Sequence, residues 1–122
     1  QPLHQTKVLR WRDTFTKLAV FGLTQFGRAL FLDADTLAIG SLVELVAWPM
    51  PDGVSIAAVQ DYKMNRKANV SYWSNEFNTG VMLVRPNATF FHALLDAMRG
   101  DELAYSFNMG SDQQLLASFV GT

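Results

Sequence analysis

Two carboxylates one residue apart, Asp33 and Asp35, end an apolar run, Ala29-Leu30-Phe31-Leu32. A short buried strand running straight into paired acids is what an α/β domain makes where its sheet opens onto a ligand crevice. On an extended backbone residues i and i+2 point to the same side, which would let both carboxylates share one hard divalent cation. Position and spacing leave a second reading open, two solvated acids in a turn. A glycine inside a later strand pattern, Gly80 after Asn78-Thr79, marks either a bulge or a close approach by another group.

These residues need elements to hold them. Phe15, Leu18, Ala19, Gly22, Leu23 and Phe26 form one apolar stripe on a helix expected from about Thr14 to Phe26, capped by Asp13 or Thr14 and ended by Gly27. Arg28 to Leu32 is the strand that leads into the acids. Helix, glycine turn and strand make half of a β-α-β crossover, so a parallel partner strand is expected upstream. Ser41 to Val46 reads as a short helix with Ser41 and Glu44 as a capping box. Val54 to Val59 is a second strand. Residues 60–76 are polar with interleaved aromatics and read as a long connection. Phe77 to Val84 is a third strand. Asn87 caps a helix whose Phe90, Phe91, Leu94, Leu95 and Met98 share a face, closed by Gly100. After a loop over 101–110, Ser111 or Asp112 caps a last helix with Leu115, Leu116, Phe119 and Val120 buried. The fold class is α/β, a mostly parallel Rossmann-like sheet flanked by helices, with 1–122 expected to be one partial domain incomplete at both ends.

Composition narrows the function classes. The chain has 122 residues, 49% apolar and 17% charged, a globular balance. Its 10 basic and 11 acidic residues leave a formal charge of −1, which gives no field for nucleic acid or an acidic membrane surface. The apolar runs are too short for a transmembrane helix. With no cysteine there is neither a disulfide framework nor a thiolate site, and either redox compartment, cytoplasmic or Golgi and secretory, remains open. Asn69-Val70-Ser71 and Asn87-Ala88-Thr89 are glycosylation triplets.

Thr16-Lys17-Leu18, Leu23-Thr24-Gln25-Phe26, F-L-D-A-D-T-L (Phe31 to Leu37) and S-L-V-E-L (Ser41 to Leu45) together resemble glycosyltransferase family 8, the glycogenin-like group with a nucleotide-diphospho-sugar transferase fold. Phe77-Asn78-Thr79-Gly80-Val81-Met82 is similar to the family's F-N-[ST]-G-V block. Gly110-Ser111-Asp112-Gln113-Gln114-Leu115-Leu116 is similar to its G-D-Q-x-x-L block, with Ser111 inserted. The resemblance runs from about Lys17 to Phe119 and keeps the family's order. It implies transfer of a sugar, with retention, from a nucleotide-diphosphate donor, foremost a UDP-sugar, to a sugar or protein acceptor. Asp33 and Asp35 would hold manganese, with magnesium as the alternative, against the diphosphate. Ala34 lies between them in the donor-binding stretch. Lys17 would reach the donor's phosphate or sugar. Asn78, Thr79 and Gly80 would line the donor sugar, and Asp112 and Gln113 would act at the sugar and acceptor side. The family's third metal ligand is a histidine near the domain's C-terminal end. Neither His4 nor His92 is placed to be it, so that ligand is expected outside this chain.

Two other readings compete. A phosphatase of the haloacid dehalogenase type has a similar aspartate motif, but Thr36 comes one position too early and the downstream acids are missing. A non-catalytic relative could keep the fold as a binding module. Trp73 and Tyr72 are candidates to stack on a sugar, and Tyr62, Tyr72 and Tyr105 are the candidate acceptor tyrosines.

Overall fold

A three-stranded antiparallel sheet in the order β1-β3-β2 is the frame on which the rest is built. The computed structural model describes residues 15–99 and 112–120. The expected caps Asp13, Thr14 and Ser111, the closing Gly100, the 101–110 loop, His4 and Tyr105 lie outside the described residues. Strand β1 is Ala29–Leu32, β2 is Ile56–Asn65 and β3 is Val70–Val84. A 3-10 helix, Phe15–Gly22, precedes β1; helix α1 is Val43–Val46, α2 is Ala88–Arg99 and α3 is Asp112–Val120.

The first helix differs from its expected form. It is a 3-10 helix and stops at Gly22, short of Phe26 and Gly27. With three residues per turn, positions i and i+3 eclipse. Leu18 and Phe21 therefore share the buried face, joined by Val20, while Ala19, Leu23 and Phe26 are exposed. Gly22 ends the helix against Phe91, where a β-carbon would stand 2.8 Å from the ring. Gly22→Ala is expected to cost about 1–3 kcal/mol of stability by overpacking, readable as a lower urea midpoint with an unchanged slope.

The described strands also depart from the expected mostly parallel sheet. β2 and β3 are joined by the tight turn at 66–69, and strands joined that closely pair antiparallel. β1 flanks the other side of β3, with Ala29 opposite Val84 and Leu32 opposite Val81. The expected polar connection over 60–76 is this hairpin. Asn65 starts its turn by accepting from the N–H groups of Lys67 and Ala68 at 3.1 and 3.2 Å. Asn69 closes it at φ 50°, a left-handed conformation that asparagine tolerates. Across the strands Tyr62 and Trp73 are partners with ring centroids 4.9 Å apart, and both stay exposed.

The core lies on one face of the sheet. Ile56, Met82 and Val84 from the strands meet Leu18, Val20 and Phe21 of the 3-10 helix, Leu94 of α2, and Leu115 and Leu116 of α3. Of the stripes expected on α2 and α3, Leu94, Leu115 and Leu116 are buried with Phe90, Phe91 and Phe119 packed against them, whereas Val120 is exposed. Asn87 caps α2 by accepting from the Phe90 N–H at 2.9 Å. Ser41 accepts from the Val43 N–H at 3.3 Å, but Leu42 holds the cap position of α1 and no side chain caps that helix, so the expected capping box does not form. On the opposite face Leu45 and Trp48 shelter a groove of about 350 Å³ with Ala57, Val59, Val81 and Leu83.

Candidate active site

β1 delivers Asp33 to the end of the sheet, and the backbone turns there. The Asp33 N–H donates to the Gly80 carbonyl at 2.8 Å, continuing the β1–β3 ladder by one residue. The Thr36 N–H then donates back to the Asp33 carbonyl at 2.9 Å. Ala34 and Asp35 are thus the two central, exposed residues of a turn. The expectation of an extended D-x-D with both carboxylates on one strand face does not hold. Same-side alternation belongs to strands, and the strand ends at Leu32.

β3 supplies the next residues by leaving the regular ladder. Ala58 pairs with Met82 and Gln60 with Phe77, so residues 78–81 stand against Val59 alone. Gln60 pairs with Phe77 and Tyr62 with Trp73, so residues 74–76 stand against Asp61 alone. Such bulges bend the strand and re-aim side chains. Here the Asn78 side-chain oxygen, Oδ1, turns back to accept from the Gly80 N–H at 2.8 Å. Thr79 points inward and is 4% exposed. A β-carbon on Gly80 would sit 2.9 Å from Asn78 Oδ1 and 3.3 Å from Asp33 Oδ2, so only glycine leaves that side of the carboxylate open.

Lys17 joins the separate elements. Its Nζ lies 3.1 Å from Asp33 Oδ1 and 2.9 Å from Asp112 Oδ2. It also donates at 3.4 Å to Thr79 Oγ1, whose hydroxyl donates to Asp112 Oδ2 at 2.7 Å. The Phe31 ring lies beneath the ammonium, 5.5 Å from its centroid. Asp112, at the first position of α3, is 4% exposed and hence a buried charge with its counter-charge in place. Burial disfavours the Lys17 ammonium, but hydrogen bonds and attraction from Asp112 and Asp33 outweigh it and hold the group above its usual 10.5.

One residue of the cluster carries no mark in the sequence. Asp61, on β2, accepts from Asn78 Nδ2 at 3.2 Å on Oδ1 and from Gln113 Nε2 at 3.1 Å on Oδ2. The two amides hold its carboxyl below its usual 3.8. Its only sequence signal is an acid following the strand V-S-I-A-A-V, and reading 60–76 as a connection hid it. Of the residues singled out in the sequence, Lys17, Asp33, Asn78, Thr79, Gly80, Asp112 and Gln113 converge in one network. Ala34 and Asp35 stand outside it, with Asp35 making no hydrogen bond or ion pair among the described residues.

A strand-end acid, a polar bulge and a helix-start Asp-Gln, brought together from three parts of the chain, can be compared with known proteins. The model of "Glycosyl transferase family 8" matches residues 4–99. The chain belongs to glycosyl transferase family 8. Among relatives, glycogenin-1 of Caenorhabditis elegans is 33% identical over 106 residues, 87% of this chain and 20% of that protein. Human glycogenin-1 is 28% identical over 109 residues, 89% of this chain and 26% of that protein. Inositol phosphorylceramide glucuronosyltransferase 1 of Arabidopsis thaliana is 28% identical over 117 residues, 95% of this chain and 18% of that protein. The chain thus spans about a quarter or less of the length of these family members.

For this family 8 chain the donor set at the acids fits a small hard cation. Magnesium-like ions take one or two carboxylates and draw the rest of their shell from water and substrate phosphate. Lys17 pairs with Oδ1 of Asp33, Oδ2 lies beside the bare Gly80, and Asp35 is exposed. No group of three histidine, cysteine or acidic ligands exists among the described residues, and His92 lies exposed on α2 beside Phe91. No described helix is long and apolar enough to cross a membrane.

Proposed function

We propose that the full-length protein transfers a sugar, with retention, from a nucleotide-diphosphate donor, foremost a UDP-sugar, to a sugar or protein acceptor. The observation that carries this reading is the Lys17 ammonium held between Asp33 and Asp112 beside Thr79. One cation there binds the strand-end acid to the bulge and to α3, where a donor's phosphate and sugar need opposite kinds of partner. The mostly parallel, Rossmann-like part of the sheet is proposed to come from chain outside the described residues.

Asp33 and Asp35 would hold manganese or magnesium, and such an ion neutralises charge building on a leaving diphosphate. Lys17 presents a second positive charge to the same phosphates. Its bonds to Asp33 and Asp112 fix where that charge stands before substrate arrives, so little reorganisation remains for the reaction. Asn78, Thr79 and the backbone of Gly80 line the donor sugar. Asp112 and Gln113 hold sugar and acceptor hydroxyls, because a carboxylate only accepts and an amide both donates and accepts.

Calorimetry of the full-length protein with manganese and uridine diphosphate tests the site. Metal-dependent binding is expected, weakened about tenfold or more, some 1.4 kcal/mol, in Asp33→Ala plus Asp35→Ala. Binding unchanged in that double variant would remove the acids from the metal site. Binding without donor hydrolysis or transfer would favour the non-catalytic relative.

A further inference from the structure

Asp61 lies outside every block that marks the family, yet it touches two of them. Each of its oxygens accepts from a different amide, Asn78 of the β3 bulge and Gln113 of α3. An ionised carboxylate has no proton to give, so both amides must present NH₂ to it. That choice sets the other end of each amide. Asn78 then has its carbonyl oxygen toward the Gly80 N–H, at 2.8 Å, which pins the bulge beside Asp33. Gln113 then has Oε1 as its remaining branch, an acceptor for a hydroxyl. Without Asp61 the Gln113 amide could turn over at little cost, since its two ends have nearly the same shape, and Asn78 would be left with the Gly80 N–H as its one orienting bond among those described.

We propose that Asp61 is a positioning residue that fixes the orientation of both amides at once, holding the bulge with one and presenting the Gln113 carbonyl oxygen to a sugar hydroxyl with the other. This rests on the sugar-transfer reading only for its last step; the clamp itself is a property of the folded chain. Because β2 carries Asp61 and pairs with β3, and Asp61 accepts from Gln113 of α3, the hairpin brings the clamp to the site. Asp61 acts through Gln113 and Asn78, so its loss should matter only while those amides are present.

Two measurements on the full-length protein separate clamp from catalysis. The first is the side-chain NH₂ resonances of Asn78 and Gln113 in wild type and in Asp61→Ala. Both pairs are expected to move together, and a shift in neither or in only one overturns the clamp whatever the activity. The second is a cycle of Asp61→Asn and Gln113→Met read by donor hydrolysis. Asparagine has the shape of aspartate but turns an NH₂ toward one of the two amides. Asp61→Asn alone is expected to lower kcat about tenfold, the scale of one charge-assisted hydrogen bond, with the affinity for uridine diphosphate unchanged. In the Gln113→Met background the same change should cost clearly less, since only the part that runs through Asn78 remains. Equal costs in both backgrounds overturn the positioning role, since a brace for the hairpin alone would be additive. A wild type that shows the coupled resonances but no hydrolysis or transfer supports the clamp and rejects the sugar-transfer reading.

Discussion

Lys17→Met is expected to destabilise the fold by about 3 kcal/mol, because it strands a buried carboxylate without its counter-charge. Methionine keeps the length and the apolar stem, so the packing over Phe31 survives and the loss isolates the charge. Asp112, only 6% exposed at its side chain, keeps the Thr79 hydroxyl but faces Asp33 with no cation between them. Asp33 is 35% exposed and water screens its share, which is why the low end of the range for broken buried pairs applies. Sugar transfer is expected to fall about 100-fold, the effect of removing one preorganised charge. The pH dependence gives an independent check. A lysine whose folded pKa is raised stabilises the native state fully below its usual 10.5, and that contribution disappears as pH rises through the higher folded value. Urea midpoints of wild type and Lys17→Met should therefore differ by a constant amount from neutral pH to about 10 and converge above it. A gap that stayed constant through the alkaline limb would mean that the ammonium is not what holds Asp112 in place.

The residues of this network were legible in the sequence to the extent that they lie in short, ordered blocks. Asp33, Asn78-Thr79-Gly80 and Asp112-Gln113 stand out as strings. The cap at Asn87 and the stripe Leu115-Leu116 follow from local spacing alone. What was not legible depends on distant contact. Asp61 is 17 positions from Asn78 and 52 from Gln113, and nothing in its own neighbourhood distinguishes it from a solvated strand acid. The hairpin was hidden for a related reason. Tyr62 and Trp73 look like loop aromatics until they are placed opposite one another on paired strands. The expected stripe Phe15, Leu18, Ala19, Gly22, Leu23 and Phe26 follows a 3.6-residue period, but Phe15, Leu18 and Phe21 fit a repeat of three as readily; packing of Leu18 and Phe21 into the core decides for the second. At Ala34-Asp35 the sequence leaves an extended strand and a turn both open, and the backbone bond from Thr36 to Asp33 decides for the turn.

Gly80→Ala is expected to lower sugar transfer about 100-fold while leaving the protein folded, because it moves groups at the site by a fraction of an ångström to an ångström. The backbone at Gly80 is not left-handed, so alanine meets no strain in φ and the whole effect comes from what its methyl touches. The contact at 2.9 Å to Asn78 Oδ1 is too short to persist, and Asn78 must swing away. That breaks its bond from the Gly80 N–H and its bond to Asp61, releasing one arm of the amide clamp. The contact at 3.3 Å to Asp33 Oδ2 is milder, but it fills the open side of the carboxylate that the cation and diphosphate are proposed to use. Two lost hydrogen bonds on a half-buried side chain amount to about 1–2 kcal/mol, so thermal unfolding should shift only modestly. The decisive comparison is with Asp61→Asn, which also disturbs Asn78 but leaves the space beside Asp33 empty. Manganese-dependent binding of uridine diphosphate should weaken in Gly80→Ala and stay intact in Asp61→Asn. Equal binding in both would mean that glycine serves only the bulge and that the open side of Asp33 has no part in holding the donor.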